Sequence, residues 1–269
     1  MSGLLPITPV RAGLDLDYGL MSFLDFGGPG RPLLALHGHL DQGKTWTDLA
    51  RELAPEWRVI APDQRGHGES DRATDYSREA YIADIIALLD VLGLSQVVVL
   101  GHSMNTAYKF AARYPDRVSA LINVDAPVLG GTGGGPSALS FVLDWPYEAS
   151  TRDALLEGLG PVGPIFADVL CELPDGTWRL PFHPQDMVTS EELGHGDHWA
   201  DWLASDCPAL LVAGTHSQAL PSEQAHAMVE RRPNTRLVAL NTDHFVHTAD
   251  PAGFANAVRE FLRTLGPSH

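Results

Sequence analysis

Short apolar runs alternate with helix-period stretches along this 269-residue chain. That is the pattern of a parallel sheet wrapped by helices. Residues 13–26 (GLDLDYGLMSFLDF) alternate loosely and predict an opening hairpin at a sheet edge. Residues 32–36 (PLLAL) form a continuous apolar run, which predicts a central strand buried on both faces. The runs at 57–61, 96–100, 118–124, 209–213 and 235–240 read in the same way. Between them, residues 78–92 set Ile82, Ile85, Ile86 and Leu89 on one face of a helix that Gly93 closes. Residues 251–265 predict a final helix with Phe254, Val258, Phe261 and Leu262 turned inward.

One segment interrupts the rhythm. Residues 127–207 hold the run GGTGGGP at 130–136, several tryptophans and no clear strand, with helical patches at 152–159, 163–171 and 184–204. The glycine run reads as a hinge or a loop. The expected organisation is a core of residues 1–127 and 207–269 with a helical lid insertion at 128–206. Such a lid belongs over the carboxyl ends of the strands, where open α/β sheets bind their ligands.

Composition narrows the function classes. Hydrophobic residues make up 44% of the chain, enough for a buried core. A net charge of −16 supplies neither the basic face that nucleic acid requires nor a polybasic patch for an anionic membrane. Cys171 and Cys207 make no disulfide framework and no paired metal motif. With no leader pattern and no apolar run long enough to span a bilayer, the expected location is the cytoplasm. The expected partner is a small-molecule substrate; oligomeric state is not legible.

The chemistry concentrates at residues 99–108, VLGHSMNTAY. A serine hydroxyl is a weak nucleophile until a base takes its proton, and it must project from a tight turn to reach substrate. Ser103 sits two residues after Gly101, between the strand-like VVVL and the helix-like TAYKFAARY. This strand–turn–helix context distinguishes a nucleophile from a helix-capping serine. His244, in LNTDHFVH after the run 235–240, lies where a general base belongs. His247 reads as a supporting residue. In the loop H-G-H-L-D-Q after PLLAL, Gly38 allows close backbone approach and the N–H of His39 would point inward. Together with the N–H of Met104 at the helix start, it would form an oxyanion hole. The pair His195 and His198 in H-G-D-H lacks a third ligand at a matching spacing, so it reads as surface residues rather than a metal site.

Five segments, HGHLDQGKTW, APDQRGHGESD, VVVLGHSM, AARYPDRVSALINVD and DHFVHTADP, together resemble the α/β-hydrolase superfamily, in its lidded esterase, lactonase and C–C hydrolase branch. The resemblance covers about residues 13–127 and 207–266, and not the insertion. It implies an α/β-hydrolase fold with a mostly parallel central sheet flanked by helices, no cofactor, Ser103 as nucleophile, His244 as base, and His39 and Met104 as oxyanion donors. It also implies that Arg65 and Asp71 in RGHGESD serve structure.

Two departures from the family pattern stand out. Gln218 occupies the loop where many members carry the acid of the triad. Some members take it instead from the strand end occupied here by Asp125, whose alternative role is to cap the loop to the lid. Glu223 and Asp243 are weaker candidates. Asn105 replaces a small residue of the family's G-x-S-x-G pattern. It either caps the helix and bonds substrate or the oxyanion, or it marks a distorted turn. His102, flanking the pocket with His37, and Trp145 in the lid are further expected substrate contacts.

The function expected is cofactor-free hydrolysis of an ester, thioester or lactone of a small, largely apolar molecule by Ser103, His244 and Asp125. Two alternatives stay open: His/acid-dependent C–C cleavage, including ring opening with dioxygen, and a non-catalytic receptor built on the same pocket.

Overall fold

The computed structural model describes residues 8–131 and 135–266. Residues 132–134 of the glycine run and the first seven residues lie outside it. Eight strands form one sheet: β1 (Val10–Leu16), β2 (Gly19–Asp25), β3 (Arg31–Leu36), β4 (Trp57–Pro62), β5 (Val97–His102), β6 (Val118–Val124), β7 (Ala209–Gly214) and β8 (Thr235–Leu240). Their spatial order is β1-β2-β4-β3-β5-β6-β7-β8. β1 and β2 are the expected edge hairpin, and β2 also runs antiparallel to β4. Every other pairing is parallel.

The continuous apolar runs are explained by helices on both faces. Successive side chains of a strand point to opposite faces. Leu34 and Leu36 of β3 accordingly join one core with Ile82, Ile85, Leu88 and Leu89 of helix α2 (Arg78–Val91). Leu33 and Ala35 join the other, with α1 (Thr47–Leu53) and the final helix, Pro251–Thr264. Each fully buried aliphatic side chain there contributes about 1.5–3 kcal/mol of transfer free energy. α2 begins where Ser77 Oγ accepts from the N–H of Ala80 at 3.3 Å, and ends ahead of Gly93. Ile86 is only half-buried; Leu88 takes the inward place expected of it.

Between β6 and β7 the chain forms α4 (Arg152–Gly158), α5 (Gly163–Phe166), α6 (Pro184–Glu192) and α7 (Trp199–Leu203), following α3 (Thr106–Arg113) of the elbow described below. The expectation of no strand here is corrected. Glu148–Ala149, Trp178–Arg179 and Cys171–Glu172 pair as a small sheet, and Leu129–Gly130 pairs with Gly196–Asp197. Two-residue strands carry no alternation to read. The helical patch at 163–171 shortens to α5, and that at 184–204 divides around Gly196, whose φ is +125°. Leu159, Phe166, Leu180, Phe182 and Met187 give the insertion its own core. No helix among the described residues is long and apolar enough to cross a membrane.

Candidate active site

β5 delivers Ser103 and α3 leads away from it. Ser103 has φ +61°, a conformation that costs a non-glycine residue about 1–3 kcal/mol and persists only where its surroundings impose it. They do. Its N–H donates to the Val124 carbonyl at 2.9 Å, and the N–H of Met104 donates to the His102 carbonyl at 2.6 Å, closing a three-residue turn. Gly101 is required beneath the turn, since a Cβ there would lie 2.4 Å from Cβ of Ala107 on α3. Among the described non-glycine residues, only Leu40, Ser103 and Asp125 have positive φ; Ser103 and Asp125 directly follow β5 and β6, and Leu40 lines the pocket from the loop after β3.

The loop after β8 (Thr235–Leu240) brings His244 to the serine. Its Nε2 lies 2.8 Å from Ser103 Oγ and its Nδ1 lies 2.7 Å from Asp125 Oδ2. Both contacts are satisfied when Nδ1–H donates to the carboxylate and Nε2 accepts from the hydroxyl. Asp125, at the end of β6, is fully buried. Its Oδ1 accepts from the N–H of Gly214 at 2.8 Å, and its Oδ2 also accepts from Ser217 Oγ at 2.5 Å. Of the three acids considered, Asp125 is the one that meets His244. Asp243 turns to the N–H of Phe245, and Glu223 is exposed on α8 (Ser222–Arg231).

The loop carrying His39 packs on the elbow: a Cβ on Gly38 would lie 3.0 Å from that of Ser103. The His39 N–H has no hydrogen-bond partner among the described residues, whereas that of Met104 is engaged by His102. The His39 ring lies 3.0 Å from Ser190 Oγ, and burial, followed by the charge of Arg78, holds it well below the usual imidazole range.

Three expected substrate contacts fare differently. Asn105 lines the pocket but makes no cap to α3. Its Oδ1 accepts from Arg78 Nε at 2.6 Å and its Nδ2 donates to the Gly194 carbonyl at 3.2 Å. His102 is not a lining residue. It is buried behind His244, with ring centroids 4.7 Å apart, and its Nε2 donates to the His244 carbonyl at 3.1 Å. Ser103 and His102 are consecutive, so when one faces the pocket the other faces away. His37 is likewise fully buried, its Nε2 accepting from the N–H of Gln64. Trp145 packs against Phe166 and Phe182 in the core of the insertion, ring centroids 5.4 and 6.5 Å away, rather than lining the pocket.

The pocket over Ser103 and His244 has a volume of about 410 Å³, room for a small molecule. Its remaining walls contain residues that pattern reading missed: Arg78 from α2, Glu191 from α6, and His195 and His198, which are half-buried pocket residues rather than surface ones. His195 Nε2 lies 2.7 Å from Glu191 Oε1, and His198 Nε2 donates to the Gly194 carbonyl at 2.8 Å. No group of residues suited to hold a metal ion occurs among the described residues. The one available signal for Arg78 was its position. A cation in the first turn of a helix opposes the helix dipole.

The sequence pattern of the alpha/beta hydrolase fold family matches residues 31–251. Lipase LipV of Mycobacterium tuberculosis is 30% identical over 261 residues, covering 89% of this chain and 95% of its own. The 2-hydroxymuconate semialdehyde hydrolase of a Pseudomonas species is 28% identical over 265 residues, covering 91% of each chain. Among solved structures, an E-2-(acetamidomethylene)succinate hydrolase matches with a TM-score of 0.83 at 23% identity, over 95% of this chain and 100% of that one. A marine microorganism esterase matches with a TM-score of 0.78 at 26% identity, over 90% and 98%.

Proposed function

The chain belongs to the alpha/beta hydrolase fold family, and from that premise we propose that it hydrolyses an ester, thioester or lactone of a small molecule through Ser103, His244 and Asp125. The observation that carries this reading is the continuous chain of contacts Ser103 Oγ–His244 Nε2 and His244 Nδ1–Asp125 Oδ2, at 2.8 and 2.7 Å. In the proposed reaction, His244 takes the hydroxyl proton as Ser103 Oγ attacks the carbonyl carbon. Buried Asp125 holds the imidazole in the tautomer this requires and stabilises the imidazolium that forms. The oxyanion meets the free N–H of His39 first. The N–H of Met104 contributes by sharing itself between the oxyanion and the His102 carbonyl. His244 then protonates the leaving group, and water activated by the same imidazole releases the acyl group.

We assign the segment 128–206 as the lid of this pocket, because Leu129, Leu139, Glu191, His195 and His198 belong to its walls. The direct test is pre-steady-state hydrolysis of a p-nitrophenyl ester. A burst of one nitrophenolate per protein, lost in Ser103→Ala, is expected; turnover without Ser103 would overturn the reading. A second reading, C–C cleavage with His244 and Asp125 as the base, is favoured by the likeness to 2-hydroxymuconate semialdehyde hydrolase. It is separated by the same variant, since Ser103→Ala would then keep substantial activity on a C–C substrate.

A further inference from the structure

Arg78 is 4% exposed, and it lines the pocket that holds Ser103. Its Nε donates to Asn105 Oδ1 at 2.6 Å, Nη1 to Ser190 Oγ at 3.3 Å and Nη2 to the Ser190 carbonyl at 3.1 Å. A guanidinium carries five N–H groups. Three are engaged, all on neutral acceptors, and two have no partner among the described residues. One face of the guanidinium lies 5.3 Å from the ring centre of Tyr81.

The other buried arginines differ. Arg65 is neutralised by Asp84, with two contacts of 2.8 Å. Arg232 ties together the carbonyls of Ser205 and Cys207 and is no part of the pocket over Ser103. Among the described residues, Arg78 is the arginine that combines burial, a place in the wall of this pocket and no carboxylate within 4.0 Å. The nearest acid in the pocket wall, Glu191, commits one oxygen to His195. Burial pushes the Arg78 guanidinium down from its ordinary range, and the nearby charges of Glu191 and Glu79, neither of them in an ion pair with it, only partly oppose that.

A buried cation with no carboxylate paired to it is costly unless a ligand completes it. We infer that Arg78 is the recognition site for a carboxylate on the substrate, so that the ester cleaved at Ser103 belongs to a molecule bearing a free acid group. The planar fork of N–H donors matches the two oxygens of a carboxylate. Asn105 stands two residues beyond Ser103 and holds Nε, which sets the fork within a small molecule's length of the nucleophile. The residue that departs from the family's elbow pattern is thereby a positioning residue for Arg78. Trp145, Phe166 and Phe182 pack against one another instead of lining the pocket, so the acid group is added to a substrate whose remaining contacts include Leu129, Leu139 and Phe245.

The inference rests on the hydrolase reading for the position of the reacting bond, but its test does not require turnover. Ser103→Ala protein is titrated with the monomethyl esters of four-, five- and six-carbon diacids and with the matched neutral dimethyl esters. At least one monoacid should bind about 10-fold or more tightly than its diester. Adding Arg78→Gln should remove that preference, and Arg78→Lys should restore part of it. Equal binding of acid and diester throughout the series would overturn the inference. So would methyl phosphate competing as well as the best monoacid, which would mark a general anion site. Should Arg78→Gln fail to fold, the preference measured in Ser103→Ala alone decides.

A parallel comparison of p-nitrophenyl hemiglutarate with p-nitrophenyl pentanoate on the unmodified protein separates the two claims. Ester turnover without acid preference leaves the hydrolase reading standing and sinks the carboxylate site. Acid-selective binding without any ester turnover does the reverse.

Discussion

On one side of the site, the Ser103 hydroxyl, both nitrogens of His244 and both oxygens of Asp125 behind it have partners. On the other side, two N–H groups of Arg78 and the buried Glu191 Oε2 have none among the described residues. Both parts are built on strained or buried polar groups, so solvent exposure does not separate them. What separates them is who completes the hydrogen bonds. A group that must transfer a proton at a fixed distance is held by the protein itself. A group that must recognise a ligand keeps donors or acceptors in reserve, at a cost to the empty protein.

The largest expected effects come from breaking the completed part. Ser103→Ala or His244→Ala should each lower kcat for an ester by about 10⁴-fold or more, measured against the uncatalysed rate, because neither works without the other. Asp125→Asn preserves shape but reverses the favoured tautomer of His244. Its kcat should fall by about 10³–10⁴-fold with little change in KM. Asn105→Gly acts on the uncompleted part. Freed from Asn105, the Arg78 fork should raise KM for an acid-bearing ester by about 10-fold, with a smaller change in kcat; a loss confined to kcat would instead tie Asn105 to the elbow.

The smallest effect concerns stability. Burial lowers the pKa values of His37, His67 and His102, that of His67 to about 3. Below pH ~6.5 the unfolded chain takes up protons that the folded protein refuses, so the stabilisation present above that pH is lost as pH falls. Each group contributes up to about 1.4 kcal/mol per pH unit. Urea midpoints should therefore drop between pH 7 and pH 5, and His67→Gln should flatten the slope.

The framework was legible because each strand and long helix repeats its signal over several residues. Ser103, His244 and their contact followed from the strand before and the loop after. Asp125 emerged through the family pattern, since an aspartate at a strand end looks the same whether it caps a loop or orients a histidine. Ser217, which completes Asp125, carries no local signature at all. His102 was misplaced by one step of the strand's two-residue period, and Trp145 because an aromatic in an insertion reads alike in a core and in a pocket. Arg78 disappeared into the first turn of a helix read by its aliphatic residues, although Arg78 and Asp84 share their buried face. Its function depends on what it lacks, a nearby carboxylate, and only packing reveals that.

The most direct measurement is labelling of the folded protein with a fluorophosphonate, located by peptide mass spectrometry, because the reaction needs the nucleophile, its base and the oxyanion donors at once. Stoichiometric modification of Ser103, abolished in His244→Ala and strongly slowed in Asp125→Asn, is the predicted result. An unlabelled Ser103 in protein that binds or turns over a ligand would contradict the proposed nucleophile.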